Sequence, residues 1–353
     1  MNTAMIAGVG TAVPEVRVTL DRLNGERTPE TARLLGQVGF EAKHTPRTDI
    51  SPWHLATEAA RSALRVADVQ PQDVDLVITV GLPRGEYQTW ALSLAVQNAL
   101  GMTRAAGLDL GDSTGGSLLA GLRVLRAKFA ADPRRHVALL LSTHRFSDMV
   151  DLARPGAHWL WPMGDAGVAL VVKRAGDGVA ILDHAFATDG AASRLLTVQY
   201  EVADEGPCPD GFYEKEWALM KWFTLRDPNR WYVDYRERAG RHLPAVILEA
   251  VRRAGLRLED VHCVQAGYLY PEVAERLAAS LGDDVEVRRH NAHGMLGGAE
   301  LAFALGELTA DPRLQGRHVV LASACLPAHF GAMVLRMSDT ASATAAAGSL
   351  VAG

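Results

Sequence analysis

The chain has 353 residues, 48% of them hydrophobic and 22% charged, the composition of a folded chain long enough for two core-forming units. Its formal net charge of −5 argues against a nucleic-acid-binding surface, and its three cysteines (Cys208, Cys263, Cys325) lie too far apart in sequence for a metal-ligand spacing or a disulfide framework. No apolar run reaches the length of a membrane span and no leader pattern opens the chain, so a reducing cytoplasm is the expected location.

Residues 4–13 alternate small and apolar side chains and end at Pro14, a strand running into a loop. Residues 28–38 read as a helix with Pro29 near its start. Residues 52–67 form an amphipathic helix, with Leu55, Ala59, Ala60, Ala63 and Leu64 on one face. Residues 74–80 are a wholly apolar strand of the buried, parallel kind. A helix over 92–100 closes on Gly101. A short strand over 107–110, a tight turn and a helix over 118–129 follow, then strands over 137–142 and 166–173. Alternating strands and helices predict a largely parallel sheet covered by helices.

The order then repeats: a strand over 179–187, a helix over 242–254, a strand over 261–267, a helix over 271–281, a strand over 285–288, a helix over 295–308, and strands over 319–323 and 332–337. Residues 73–77 correspond to 260–264, and 137–141 to 318–322. The chain therefore reads as a duplicated α/β unit, with halves at 1–175 and 176–338 and a flexible Ala/Ser/Thr/Gly-rich tail at 339–353. Residues 197–235 do not repeat. They hold Phe212, Tyr213, Trp217, Trp222, Phe223, Trp231, Tyr232 and Tyr235, and read either as a lid over a ligand or as a subunit contact.

Between the strand at 107–110 and the helix at 118–129 lies Asp112-Ser113-Thr114-Gly115-Gly116. A strand-to-helix turn with hydroxyls and glycines can lift a nucleophile into a pocket and aim helix N–H groups at an anion. Asp112, Ser113 and Thr114 are equally good helix caps, and the turn alone leaves both readings open. The pair Gly8-Val9-Gly10 lacks the helix pattern and third glycine of a dinucleotide loop, and no phosphate-binding loop or metal cluster appears.

Taken together, Gly8–Pro14, Val38–His44, Asp75–Val80, Val96–Gly101, Met163–Ala169, Thr188-Asp189-Gly190, Gln265-Ala266, His293-Gly294 and Met333–Arg336 resemble, in order and spacing from about Met5 to Met337, the thiolase superfamily and its beta-ketoacyl-acyl-carrier-protein synthase III branch. The resemblance implies a thiolase-like five-layer αβαβα fold of two duplicated halves and a homodimer. It does not carry over the family's Cys-His-Asn triad: the nucleophile position falls on Thr114, beside Ser113, the His position on Val264 and the Asn position on Met295.

Decarboxylative condensation needs an acyl-cysteine and two donors for the enolate oxygen, and neither Val264 nor Met295 donates. The expected activity is instead a non-decarboxylating acyl transfer, from an acyl carrier protein or CoA thioester to an acceptor, as in natural-product relatives with Ser in place of Cys. Ser113 or Thr114 would carry the acyl group. A hydroxyl needs a base, for which His293 stands first, followed by His144 and His329 at strand ends leading to the family's pocket. No tightly bound cofactor is implied. The places that hold the adenine of CoA in the family are Arg33 and Gln37 here, without the family's Trp, which favours a phosphopantetheine-linked donor. The resemblance implies that Trp90 falls where the family places acyl-pocket residues contributed across its dimer. Two other readings stand beside this one: a catalytically silent acyl-binding partner of an active synthase, and a cyclase or hydrolase that reuses the acyl pocket.

Overall fold

The computed structural model describes residues 4–19, 29–46, 50–81, 91–111, 117–149, 157–202, 219–225, 227–325, 329–339 and 349–351. The first half contributes β1 (Ala4–Pro14), β2 (Val16–Thr19), α1 (Pro29–Val38), β3 (Ala42–Thr45), α2 (Pro52–Val66), β4 (Leu76–Gly81), α3 (Leu92–Leu100), β5 (Ala106–Gly111), α4 (Ser117–Ala131), β6 (Val137–Arg145) and β7 (Asp165–Lys173). The second half contributes β8 (Val179–Thr188), β9 (Leu196–Val202), β10 (Leu219–Leu225), α5 (Pro228–Arg253), β11 (Val261–Ala266), α6 (Pro271–Leu281), β12 (Glu286–Arg289), α7 (Glu300–Ala310), β13 (His318–Cys325), β14 (His329–Arg336) and β15 (Ser349–Val351).

The main sheet runs β12-β11-β13-β14-β8-β1-β7-β6-β4-β5, with β15 beside β1. Setting aside β2–β3 and β9–β10, which form two separate ribbons, each half has its strands in the order third, second, fourth, fifth, first. The halves join where β1 pairs antiparallel with β8, Ala4 opposite Ile181 and Ile6 opposite Val179. β4 thus matches β11 and β6 matches β13, as the repeated sequence segments predict.

Alternation along the strands builds the layers. In β6, Ala138 and Leu140 face a central core with Leu118, Leu119, Leu122, Leu125 and Phe129 of α4 and Leu301, Phe303, Leu305 and Leu308 of α7. Leu139 and Leu141 face the opposite way, toward α2 and α3. In β14, Met333 and Leu335 join the central core, while Ala332 and Val334 lie under α5 and α6. The result is helix, sheet, helix, sheet, helix. Among the described residues no helix is long and apolar enough to cross a membrane.

Four expectations are corrected. The sheet is mixed rather than largely parallel: β4–β5, β4–β6, β11–β12 and β11–β13 run parallel, whereas β1–β7, β6–β7, β1–β8, β8–β14 and β13–β14 run antiparallel. Helix α5 starts at Pro228, fourteen residues before the expected His242. Trp231, Tyr235, Ala239 and Leu243, one turn apart, are all buried in the core. Trp231 and Tyr235 are therefore neither lid nor subunit contact; Phe212, Tyr213 and Trp217 lie outside the described residues. Helix α7 starts at Glu300 rather than Met295, because Gly297 and Gly298 take positive φ values of 61° and 92°. Within the expected tail, β15 pairs in parallel with Ala12–Pro14 of β1.

Gly10 lets α2 lie directly on β1: a Cβ there would fall 2.1 Å from the Ala59 carbonyl oxygen. Gly8-Val9-Gly10 is thus a helix-packing surface. Gly10→Ala is expected to cost about 1–3 kcal/mol, read from chemical denaturation; an unchanged midpoint would show that α2 can move away freely.

Candidate active site

The carboxyl ends of β4, β5 and β6 form one edge of the first half-sheet. Gly81 at the end of β4 is in register with Gly111 at the end of β5. Ser113, Thr114 and Trp90 lie outside the described residues; α4 resumes at Ser117.

His144, near the end of β6, packs its ring on Gly81, where a Cβ would meet Cε1 at 2.6 Å. Gly81 has φ 102°, so a side chain there would be both strained and blocked. The Ser142 hydroxyl donates to the Val80 carbonyl at 3.3 Å, so His144 Nε2 must be the donor in its 2.9 Å contact with Ser142 Oγ. Nδ1 is left bare and has no hydrogen-bond partner among the described residues. Burial alone pushes this imidazole's pKa down to about 3.

His329 opens β14, opposite Thr188 of β8 and Cys325 of β13. Two residues on, Gly331 faces Leu119 in the first turn of α4. His329 is half-buried, and burial lowers its pKa. The start of β14 therefore reaches the buried helix from the second half.

His293 precedes α7 on a loop that two contacts hold in place. Met295 forms an isolated parallel bridge with Met163, and its N–H donates to the Pro162 carbonyl at 2.8 Å. The buried Glu300 carboxylate accepts from the N–H groups of Tyr268 (3.0 Å), Leu296 (3.2 Å) and Gly298 (2.9 Å). Burial raises the Glu300 pKa, against the pull of those N–H donors.

The half-buried His293 ring lies on Phe303, with centroids 4.1 Å apart, and faces His44 at 5.7 Å. His290 Nε2 is 2.9 Å from His293 Nδ1, and His290 Nδ1 is 3.4 Å from the Glu307 carboxylate. Burial first, then the neighbouring His290 and His44, push His293 down to about 4. Lys43, next to His44, is buried, donates to the Met163 carbonyl at 3.1 Å and has its pKa lowered by burial.

Arg33 and Gln37 are exposed on α1, and the charge of Arg33 helps to lower the pKa of nearby His158. Val264 is fully buried in the core under α5 and α6, and Met295 is half-buried. No group of three or more His, Cys, Asp or Glu side chains arranged to hold a metal occurs among the described residues. His44, Ser142, His290, Glu300 and Glu307 were not singled out from the sequence. The three-residue spacing of His290 and His293 was the available signal; nothing local pairs either with Glu307.

His144 carries a pH signature. It stays neutral when folded but takes a proton near 6.5 when unfolded, so the unfolded state binds more protons below 6.5. Its contribution is complete above pH 6.5 and is lost as pH falls toward 3, at about 1.4 kcal/mol per pH unit. Denaturation of wild type and His144→Phe across that window should show a shallower acid loss in the variant; equal slopes would place a proton on the folded imidazole.

No protein-family model matches the chain. Over 338 residues, 95% of this chain and 99% of the relative, it is 25% identical to beta-ketoacyl-[acyl-carrier-protein] synthase III of Sphingopyxis alaskensis. The priming beta-ketosynthase of the R1128 polyketide biosynthetic pathway superposes with a TM-score of 0.78 at 21% identity, over 95% of this chain and 96% of its own. The 3-oxoacyl-[acyl-carrier-protein] synthase III of Aquifex aeolicus superposes with a TM-score of 0.76 at 20% identity, over 94% and 99%. With its doubled strand order and five layers, the chain has the thiolase-like fold of the beta-ketoacyl-acyl-carrier-protein synthases III.

Proposed function

We propose that this chain is a ketosynthase III-like acyltransferase of natural-product biosynthesis. It takes an acyl group from a carrier protein or CoA thioester through the hydroxyl of Ser113 or Thr114 and passes it to an alcohol, amine or second carrier without decarboxylation. Similarity to beta-ketoacyl-acyl-carrier-protein synthases III along nearly the whole chain supports a thioester-borne acyl chain as substrate. Val264 and Met295 offer no donor for an enolate oxygen, which argues against condensation.

One observation carries the reading: His293, two residues before Met295, is a neutral imidazole whose Nδ1 is engaged by another side chain. A hydroxyl nucleophile needs such a base, oriented by a third group. His144, with its bare Nδ1 at the edge where β5 ends, is the second choice.

Incubation with acyl-CoA and acyl-carrier-protein donors, followed by intact mass, is expected to show one acyl adduct that Ser113→Ala or Thr114→Val removes. His293→Ala is expected to cut transfer about 10²- to 10⁴-fold. Because His293 must be neutral to accept a proton, kcat/KM should rise through pH 4 and be flat above it. An acid limb near 6.5, or loss confined to His144→Ala, would move the base elsewhere. Absence of both adduct and transfer with every donor would leave the silent acyl-binding partner.

We also infer a homodimer formed along β5. This strand ends the sheet with exposed residues, and such an edge invites pairing with a second copy. Sedimentation should give twice the chain mass, and Leu108→Pro should yield monomer; a wild-type monomer would refute the pairing.

A further inference from the structure

The side chains around His293 form a relay of one hydrogen bond and one ion-pair contact. A carboxylate carries no proton to give, so the 3.4 Å contact to Glu307, which lowers the Glu307 pKa, places the proton of that pair on His290 Nδ1. With the Nδ1 proton facing Glu307, His290 Nε2 presents its lone pair to His293, and the 2.9 Å contact makes His293 Nδ1 the donor. His293 Nε2 is left with its lone pair. The two rings lie within 7° of parallel with centroids 5.1 Å apart, the geometry of an N–H···N bond running along ring edges.

The surroundings hold the relay in place. The backbone N–H of His290 donates to the Ala266 carbonyl at 3.2 Å, which fixes it beside the end of β11. Phe303 and Glu307 are one turn apart on α7, so one helix face supplies both the ring under His293 and the terminal carboxylate. His290 is 3% exposed, whereas the Glu307 side chain is 66% exposed, so the relay runs from a buried imidazole to solvent. The other charged or titratable neighbours of His293 are Arg17 and His44, and the ring of His44 is oriented by its Nδ1–H donating to the Pro14 carbonyl at 3.0 Å.

We propose that His290 and Glu307 are positioning residues that act through His293, holding it in the Nδ1–H tautomer so that Nε2 is the nitrogen that takes the substrate proton. This rests on the acyl-transfer reading above. In the first half-reaction the side-chain oxygen bonds to the acyl carbon and its proton passes to His293 Nε2. The carbon–sulfur bond breaks with its electron pair on sulfur, which takes that proton from the imidazolium. In the second, the acceptor's oxygen, nitrogen or sulfur bonds to the same carbon and gives its proton to Nε2. The ester carbon–oxygen bond breaks, and the released oxygen recovers the proton. Glu307 stays ionised throughout and offsets the charge on the imidazolium.

Two readouts on the full chain separate this proposal from the reading beneath it. Nitrogen-15 NMR of histidine-labelled protein at neutral pH should show His293 protonated at Nδ1 and bare at Nε2, and Glu307→Ala and His290→Phe should each mix the tautomers. This holds whether or not the protein turns over, so failure of acyl transfer leaves it intact. In transfer assays both variants should lower kcat about 10-fold or more with KM unchanged, and the double variant should be no worse than the more severe single one. Glu307→Ala should also move the acid limb to lower pH, because the Glu307 charge favours the imidazolium. Glu307→Ala alters only an exposed side chain, so it remains informative if His290→Phe fails to fold. A wild-type His293 protonated at Nε2, or tautomers and kcat unchanged in Glu307→Ala, would overturn the proposal.

Discussion

Two helices, α4 and α7, are held between two layers of the same sheet, and that confinement governs the rest of the molecule. Their flanks must be apolar, which is why Leu119, Leu122, Leu125, Leu301 and Leu305 are fully buried. Their polar ends can find partners only at the sheet edges. At α7 this need is met from within the chain: Glu300, the first helical residue, turns its carboxylate back onto the N–H groups of Leu296 and Gly298 and across to Tyr268. At α4 the same place is reached by β14 from the second half, through Gly331 against Leu119.

Reactive side chains therefore collect where strands end and buried helices begin. Each of the three candidate histidines sits at such a place, and the described geometry separates them. His144 is fully buried and oriented by one serine hydroxyl. His329 is half-buried, and its chain neighbour Phe330 stacks on His242 at 4.9 Å. His293 is held by a second histidine, backed by a carboxylate. A weak hydroxyl nucleophile benefits most from the last arrangement, because a fixed tautomer removes one uncertainty from proton transfer and a nearby negative charge steadies the imidazolium.

Much of the fold was legible in the sequence because the strands β4, β6 and β7 are continuous apolar runs and because the repeat in 73–77 and 260–264 reports a duplication. The first half of α5 was not. Its Trp, Tyr and Arg residues look like a surface segment until Trp231, Tyr235, Ala239 and Leu243 are seen to share one buried stripe. The start of α7 was misplaced because its apolar pattern extends back through Met295 and Leu296, whereas positive φ at Gly297 and Gly298 ends it. Among the candidate site residues, His293 was singled out by its place two residues before Met295. Its partners were not: His290 and Glu307 lie on different elements and meet only through tertiary packing.

The central claim of the proposed function is that an acyl group rests on the hydroxyl of Ser113 or Thr114 and that His293 is its base. A crystal structure of the protein reacted with a slowly released acyl thioester tests it most directly. The account predicts continuous density from Ser113 or Thr114 Oγ into the acyl chain, with His293 Nε2 within hydrogen-bond distance of that oxygen. An acyl chain bound elsewhere, or lying unattached with His293 turned away from it, would contradict the account.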